Sequence, residues 1–295
     1  MSRIVSFLPA GTEIVCALGV GKRLVGRSHE CDYPAEVTHL PVVSRPALQL
    51  DGLSPSEMDR AVAQRLRSGG SLYQIDELLL RELAPDVILT QDLCQVCAPS
   101  GHELNRTLRE LPGNPQVVWL SPQTLAEIEQ NILEVGRATG SNEAAHGLVT
   151  RNRERIARVG RAVAGAPVRR VVLLEWAEPL FAAGHWVPEM IEIAGGEELL
   201  GRAGADSARV DPEQVQAAAP EVVVFAPCGF RLDRAIQLGK ALPKLSQAAL
   251  YAVDANAYFA RPGPRVAEGI ELLAHLFHPD RVEWPHEDRP WEQLR

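Results

Sequence analysis

The chain has too little positive charge for a typical nucleic-acid-binding protein and lacks the long apolar runs of a membrane-spanning protein. Its 295 residues carry 30 Lys and Arg against 38 Asp and Glu, a formal net charge of −8. Because phosphate neutralisation dominates binding to nucleic acids, this balance argues against a nucleic-acid partner. No apolar stretch approaches the length of a membrane helix, so direct insertion into a membrane is not expected.

Cysteine is scarce, and five residues form no complete disulfide framework. Three of the five fall in two short segments, "RSHECDYP" and "TQDLCQVCAPS". A zinc or iron site there would use His29, Cys31, Cys94 and Cys97. A redox pair and a ligand-binding surface lined by small polarisable side chains are the other two interpretations of these segments.

The familiar catalytic motifs are also missing. The chain contains no G-x-S-x-G, no phosphate-binding glycine loop and no H-E-x-x-H. An enzyme stays the alternative class, in which carboxylates such as Glu13, Glu30, Asp92 and Glu175 act as acid and base. We prefer to interpret these carboxylates as helix caps and polar ligand contacts.

An internal repeat is the most informative feature that is present. "IDELLLRELAPDVILTQ" (75–91) and "VDPEQVQAAAPEVVVFA" (210–226) both place an aspartate nine residues before a proline. Asp76 and Asp211 are predicted N-caps of short helices, which the prolines end. The aliphatic runs that follow predict strands buried on both faces of a parallel sheet. The chain therefore contains two similar α/β halves.

These halves predict an α/β fold of two Rossmann-like lobes with parallel-rich sheets. We place the N-terminal lobe at residues 1–120, linker helices at 121–165 and the C-terminal lobe at 166–295. The second linker helix has roughly 22 residues, about 33 Å, and is expected to act as a strut. A ligand cleft is expected between the lobes.

Aromatic residues make up only 5% of the chain, and their positions are informative. In open parallel sheets, ligands bind beyond the carboxyl ends of the strands. Eight of the fifteen aromatic residues fall in loop stretches of the predicted fold, several of them beyond strand ends. This placement favours a flat or bulky ligand that packs on aromatic side chains.

Five segments in order resemble a known family: "SFLPAGTEIVCALGVGKRLVG", "CDYP", "LAPDVIL", "PLFAAGHWVPEMIEIAGGEELL" and "YFARPGPRVAEGIELL". The chain resembles, over nearly its whole length, the bilobal ABC-transporter substrate-binding proteins for vitamin B12, haem and iron-siderophores. The cobalamin-binding branch is nearest. The resemblance implies a ligand held between the lobes by loops that follow the strands.

The strand ends and the resemblance together give the candidate ligand-binding residues. They are Pro9, Ala10, Gly11, Thr12, His29, Glu30, Tyr33, Gln91, Asp92, Cys94, Glu175, Trp176, His185, Trp186, Cys228, Phe230 and Tyr258. Trp176, Trp186 and Tyr258 are expected to supply apolar faces, and His29 or His185 to approach a metal centre in the ligand.

The chain departs from the family in two places. Corrinoid binders stack a tyrosine of the "DYP" loop on the macrocycle, and the matching position here is Glu30. Transporter members also dock on permease arginines through one glutamate in each lobe. Glu213 matches in the second lobe, whereas the first lobe has Leu78 with Glu77 beside it. Glu77 and Glu213 are thus the expected docking residues if an ABC permease is the partner.

The sequence therefore predicts a monomeric binding protein for a corrinoid, either cobalamin or cobinamide. As given, it is expected to be a cytoplasmic carrier or scavenger. Removal of a signal would instead make it a periplasmic or extracellular component of an ABC transporter. A metal-binding protein that holds Zn or Fe through the Cys/His cluster, and an enzyme acting on a corrinoid or related metallocofactor, are the alternatives.

Overall fold

Two parallel-rich sheets, each with its own helices, make up the part of the chain that the computed structural model describes, residues 2–91, 111 and 113–295. The chain divides into a first unit, Met1–Pro122 with Ala126–Thr150, and a second unit, Gln123–Leu125 with Arg151–Arg295. The predicted linker region, 121–165, is thus shared between the two units.

The first unit contains a six-stranded sheet in the order β4-β3-β2-β1-β5-β6. All neighbouring strands are parallel except β3 and β4, which are antiparallel. The strands are β1 (Ile4–Ser6), β2 (Leu24–Ser28), β3 (Val42–Pro46), β4 (Tyr73–Ile75), β5 (Val87–Thr90) and β6 (Gln116–Trp119). The helices before the unit boundary are α1 (Pro9–Ala17), α2 (Pro55–Arg67) and α3 (Glu77–Leu83).

Two longer helices follow, α4 (Leu125–Thr139) and α5 (Asn142–Val163). The 22 residues of α5 confirm the predicted length of the second linker helix. None of the helices in the described part of the chain is both long and apolar enough to cross a membrane.

The second unit contains a seven-stranded sheet in the order β10-β8-β7-β11-β12-β13, with β9 also paired to β7. Its central strands β7, β11 and β12 are parallel, and β8, β10 and β13 add antiparallel edges. The strands are β7 (Arg169–Ala177), β8 (Leu180–Ala182), β9 (Gly196–Glu198), β10 (Ala208–Val210), β11 (Val222–Phe225), β12 (Ala249–Val253) and β13 (Trp291–Gln293). The helices are α6 (Val187–Ile193), α7 (Pro212–Ala218), α8 (Leu232–Ala241), α9 (Ala255–Tyr258) and α10 (Val266–Phe277).

The predicted repeat is confirmed in detail. Asp76 is the N-cap of α3, where its carboxylate accepts from the Leu79 N–H at 3.0 Å, and Asp211 is the N-cap of α7. Every residue of β5 and of β11 is buried, as expected for strands covered on both faces. Each helix ends in a left-handed alanine, Ala84 with φ 38° and Ala219 with φ 47°.

An arginine ties the end of α3 to the start of the sheet in the first unit. The Arg3 N–H donates to the Asp86 carboxylate at 2.7 Å, and Arg3 Nε donates to the Leu83 carbonyl at 2.7 Å. The Asp86 N–H returns a hydrogen bond to the Arg3 carbonyl at 2.9 Å. The bond from Arg3 Nε caps the carboxyl end of α3. The two bonds between Arg3 and Asp86 set the register in which β5 begins beside β1.

The second unit repeats this arrangement. The Arg170 N–H donates to the Glu221 carboxylate at 3.0 Å, and the Arg170 guanidinium donates to the Ala218 carbonyl at the end of α7. The Glu221 N–H donates to the Arg170 carbonyl at 2.8 Å. We call each such set of bonds an arginine clamp. Sequence analysis did not identify it, because the arginine lies far from the repeat in the chain.

The left-handed alanines give a direct test of the fold. Replacement of Ala84 or Ala219 by glycine removes the steric cost of a positive φ, so each variant should gain about 0.5–1 kcal/mol in unfolding free energy. Ala217→Gly, inside α7, is the matched control and should instead lose about 1 kcal/mol. Urea unfolding of the three variants measures these changes, and a loss of stability at all three positions would contradict the assignment.

Candidate functional site

Hydroxyl side chains end three neighbouring parallel strands of the first sheet. Ser6 ends β1, Ser28 ends β2 and Thr90 ends β5, and all three are buried. The Ser6 hydroxyl donates to the Leu8 carbonyl at 2.8 Å, whereas Thr90 Oγ1 has no hydrogen-bond partner among the residues that the structure describes. Gln91, the last described residue of this stretch, is also buried. The carboxyl ends of these strands therefore form a buried polar edge of the first sheet, which includes the candidate residue Gln91.

The candidate ligand-binding residues Pro9 to Thr12, which follow the first strand, form the first turn of the helix α1 and not a loop. Thr12 is fully buried and its hydroxyl donates to the Cys31 sulfur at 3.1 Å. A Cβ atom at Gly11 would lie 2.9 Å from Ser6 Oγ and 3.1 Å from the Leu89 Cβ. Ala10, Gly11 and Thr12 therefore pack inside the first unit, and Pro9 keeps part of its surface exposed.

His29 and Cys31 have different partners although they are two residues apart. Cys31 is fully buried beside Thr12, whereas His29 Nδ1 lies 3.2 Å from the Ser44 carbonyl oxygen. Burial lowers the pKa of His29, so the imidazole is neutral at pH 7. A hydrogen bond to this carbonyl requires the proton on Nδ1, the tautomer that leaves the Nε2 lone pair as an acceptor; the Ser28 hydroxyl also lies 3.4 Å from Nδ1. Nε2 lies 3.9 Å from a carboxylate oxygen of Glu30, which is exposed.

The metal-site interpretation gains no support in the described part of the chain. That part contains no group of three or more His, Cys, Asp or Glu side chains arranged to hold a metal ion. Asp92, Cys94 and Cys97 lie outside the described residues.

Arg27 organises the loop that carries His29, Glu30 and Tyr33. Its guanidinium donates to the carbonyls of Ser28 at 3.0 Å and Thr38 at 2.7 Å, on either side of the loop. Tyr33 is 46% exposed on this loop. Sequence analysis assigned no role to Arg27, since a single arginine without a motif gives no signal of a loop-closing contact.

An aromatic pair lies at the carboxyl edge of the second sheet. The rings of Trp176 and Phe230 stack with centroids 5.7 Å apart and planes 23° apart, and both side chains are partly exposed. The Arg234 guanidinium lies 6.0 Å from the Phe230 ring centroid. Cys228 lies on the same loop, is exposed and is a free thiol. The structure thus brings together Trp176, Cys228 and Phe230, but Trp176 lies within β7 and not in a loop beyond it, because β7 runs to Ala177.

Glu175 lies beside this pair, but its carboxylate has partners inside the second unit. It accepts hydrogen bonds from the Ser207 hydroxyl and the Gly184 N–H. Burial raises the pKa of Glu175 to about 7, against the effect of both hydrogen bonds, and the Glu198 carboxylate adds repulsion. Sequence analysis did not identify Ser207 or Glu198.

Glu198 is a second carboxylate of this kind. It accepts from the backbone N–H groups of Leu173 at 2.9 Å, Leu200 at 3.1 Å and Gly201 at 3.0 Å. Burial raises the pKa of Glu198 to about 7, although these hydrogen bonds favour the ionised form. Two neighbouring carboxyl groups of the second unit therefore titrate near neutral pH.

His185 has a left-handed backbone with φ 54°. Its Nε2 lies 3.5 Å from an Asp206 carboxylate oxygen, and burial lowers the pKa of the ring while Asp206 opposes the shift. Its neighbour Trp186 is only 5% exposed and donates its indole N–H to the Phe259 carbonyl at 3.1 Å. The expectation that Trp186 exposes an apolar face is not met.

Tyr258 is also buried, with 7% of its surface exposed. Its hydroxyl donates to the Asp288 carboxylate at 3.4 Å, and its ring meets Trp284 edge to face at 5.9 Å. Burial and the Asp288 charge raise the pKa of this tyrosine. Most of its ring surface is therefore covered by the second unit itself.

The two expected docking glutamates occupy equivalent helix starts. Glu77 is the first residue of α3, and Glu213 is exposed in the first turn of α7. Leu78, beside Glu77, is 76% exposed.

Two α/β units whose parallel strands end in polar and aromatic loops are typical of binding proteins that hold small molecules. The family described as "Periplasmic binding protein" matches residues 4–241, and the chain belongs to this family. A "Vitamin B12-binding protein" of Vibrio cholerae serotype O1 is 26% identical over 282 residues, which cover 92% of this chain and 87% of that protein.

Solved structures share the fold. The periplasmic haem-binding protein RhuT from Roseiflexus sp. RS-1 has a TM-score of 0.71 at 22% identity, covering 94% of this chain and 98% of that one. The periplasmic vitamin B12-binding protein BtuF of Vibrio cholerae has a TM-score of 0.68 at 23% identity, covering 92% and 95%. The predicted family and the predicted α/β fold with parallel-rich sheets are therefore confirmed.

The raised pKa values predict how stability depends on pH. Glu175 and Glu198 hold protons more tightly in the folded state, so their stabilising contribution is complete below about pH 4.5 and is lost as pH rises through about 7. Glu198→Gln cannot ionise and should reduce this loss by about 2 kcal/mol between pH 5 and pH 8.

Urea unfolding at pH 5, 6, 7 and 8 measures this difference between the wild type and the variant. Glu197→Gln, an exposed neighbour on β9, is the control and should follow the wild-type curve. The same pH dependence in the wild type and in Glu198→Gln would contradict the prediction.

Proposed function

We propose that the chain binds a corrinoid, cobalamin or cobinamide, at the carboxyl edges of its sheets. The observation that carries the proposal is the stacked, partly exposed pair of Trp176, near the end of β7, and Phe230, beyond β11. A flat macrocycle packs favourably on such a surface, because aromatic rings offer a large apolar area with few degrees of freedom. The vitamin B12-binding relatives, which align over 92% of this chain, support the same ligand class.

Polar groups of the first unit would contact the rim of the ligand. The neutral His29 offers Nε2 as an acceptor for an amide N–H or as a ligand to the central metal. Tyr33 and Glu30 are exposed on the same loop, which Arg27 holds in place. These residues are the polar groups that the first unit offers to a ligand at the carboxyl edge of its own sheet.

Delivery to an ABC permease is the partner role that we propose. The names of the relatives and of several similar structures place those proteins in the periplasm or describe vitamin B12 binding, which favours a periplasmic over a cytoplasmic location here. Glu77 and Glu213, at equivalent helix starts, would dock on permease arginines. Their carboxylates are the groups that arginine forks bind best.

Haem is a second candidate ligand. RhuT, a haem-binding protein, shares the fold with a TM-score of 0.71. His29 supports this candidate, because a neutral imidazole whose Nδ1–H is already bonded has Nε2 available for axial coordination to iron.

Titration of the purified chain with cobalamin, cobinamide and haem, followed by visible absorption, tests the proposal. Saturable binding of a corrinoid at one equivalent is the expected result. Binding of haem without either corrinoid would overturn the first candidate in favour of the second. Binding of none of the three would overturn both.

The aromatic pair gives a sharper test of the same site. Trp176→Ala removes half of the stack and should weaken corrinoid binding at least about tenfold, which corresponds to about 1.4 kcal/mol. Trp176→Phe keeps an aromatic face and should retain most of the affinity. Val168→Ala, an exposed position just before β7, is the control and should bind as the wild type does. Equal affinity of Trp176→Ala and this control would place the ligand elsewhere.

A further inference from the structure

Two segments of the second unit form a continuous contact beyond the end of a strand pair. Strands β8 and β10 are antiparallel, with Ala208 opposite Ala182. Beyond them, the His185 N–H donates to the Ala205 carbonyl at 2.6 Å, and the Gly204 N–H donates to the His185 carbonyl at 2.9 Å. We call segments 183–186 and 201–207 the loop pair.

Glycines allow the two segments to touch through their backbones. A Cβ atom at Gly184 would lie 2.5 Å from the Ala205 oxygen and 2.5 Å from the Ser207 nitrogen. A Cβ atom at Gly201 would lie 2.1 Å from the Ala183 oxygen. Because any larger residue would separate the segments, the loop pair depends on this close approach.

One carboxylate bridges both segments. Glu175, near the end of β7, accepts from the Ser207 hydroxyl on one segment and from the Gly184 N–H on the other. Glu198 adds a second attachment, since it accepts from Gly201 in the loop pair and from Leu173 in β7. The loop pair is thus held to the strand by carboxyl groups whose partners lie far apart in the chain.

We propose that Glu175 and Ser207 form a latch that keeps the loop pair closed and so positions His185 for the ligand. The inference rests on the proposed function, because His185 matters only if a ligand binds at this edge. The left-handed backbone of His185 and its contact with Asp206 at 3.5 Å both belong to the closed arrangement. Glu175 is a positioning residue here and touches no ligand.

The charge on Glu175 should control the latch. The charged group that acts on it is the carboxylate of Glu198, the last residue of β9. His185 and Asp206, 3.5 Å apart, lie in the loop pair, and the backbone N–H of Cys228 donates to the Glu175 carbonyl at 3.0 Å. Burial raises the pKa of Glu175 to about 7. The neutral carboxyl fits the buried position, whereas the ionised form gains free energy by reaching water. The latch is therefore closed at pH 6 and loosened at pH 8.

Hydrogen exchange without ligand tests the latch directly. Glu175→Ala and Ser207→Ala should lower the protection of peptides covering 183–187 and 201–208 and leave α10 unchanged. Glu175→Gln keeps a neutral amide in place of the carboxyl, so it should retain protection and lose its dependence on pH between 6 and 8. Glu197→Gln is the control. Wild-type protection in Glu175→Ala, or wild-type pH dependence in Glu175→Gln, would overturn the latch.

Ligand affinity tests the positioning of His185. With cobinamide and haem as probes, the wild type should bind more weakly as pH rises from 6 to 8, by at most about tenfold per pH unit for one linked proton. Glu175→Gln should bind with little pH dependence, and Glu175→Ala should bind weakly throughout. Identical pH profiles for the wild type and Glu175→Gln would overturn the proposal. If neither probe binds the wild type, the proposed function fails, while the exchange experiment still decides on the latch.

Discussion

The arginine clamp at the start of each central strand is the interaction on which the rest of the structure depends. A strand buried on both faces cannot adjust its register by exposing polar backbone, because each unpaired N–H or C=O group would lose its hydrogen bond. Arg3 with Asp86 and Arg170 with Glu221 set that register where the preceding helix ends. Because the register fixes where each strand lies, it also brings the loops that follow the carboxyl ends to the same edge of each sheet.

The elements that sequence analysis predicted correctly are those specified by local chemistry. The aliphatic runs of β5 and β11, the N-cap aspartates and the 22 residues of α5 all depend on neighbours a few positions away. Pro9, a favoured first helical residue, is a local signal of the same kind for the start of α1. The arginine clamp could not be predicted, since Arg3 and Asp86 are 83 residues apart.

The candidate site was harder to predict because burial decides which polar or aromatic side chains remain available. Trp176 and Trp186 are the same residue type in neighbouring segments of the sequence. Trp186 is nevertheless buried, and its indole N–H donates to the carbonyl of Phe259, 73 residues later in the chain. Glu175 was expected to contact a ligand, and its carboxylate instead bonds to Ser207, 32 residues later in the chain. Such pairings are properties of the folded chain. Sequence alone located the edge of each sheet but not which side chains face inwards.

The first turns of the two repeated helices, α3 and α7, carry different side chains at the same position. Counting from the equivalent N-caps Asp76 and Asp211, the position of the exposed Leu78 in α3 is that of Glu213 in α7. At this position the first helix start presents the hydrocarbon of Leu78, with the Glu77 carboxylate one residue before it, and the second presents the carboxylate of Glu213. The two halves therefore repeat a backbone but not the side chains at its helix starts, so the chemistry of the surface distinguishes the first half from the second.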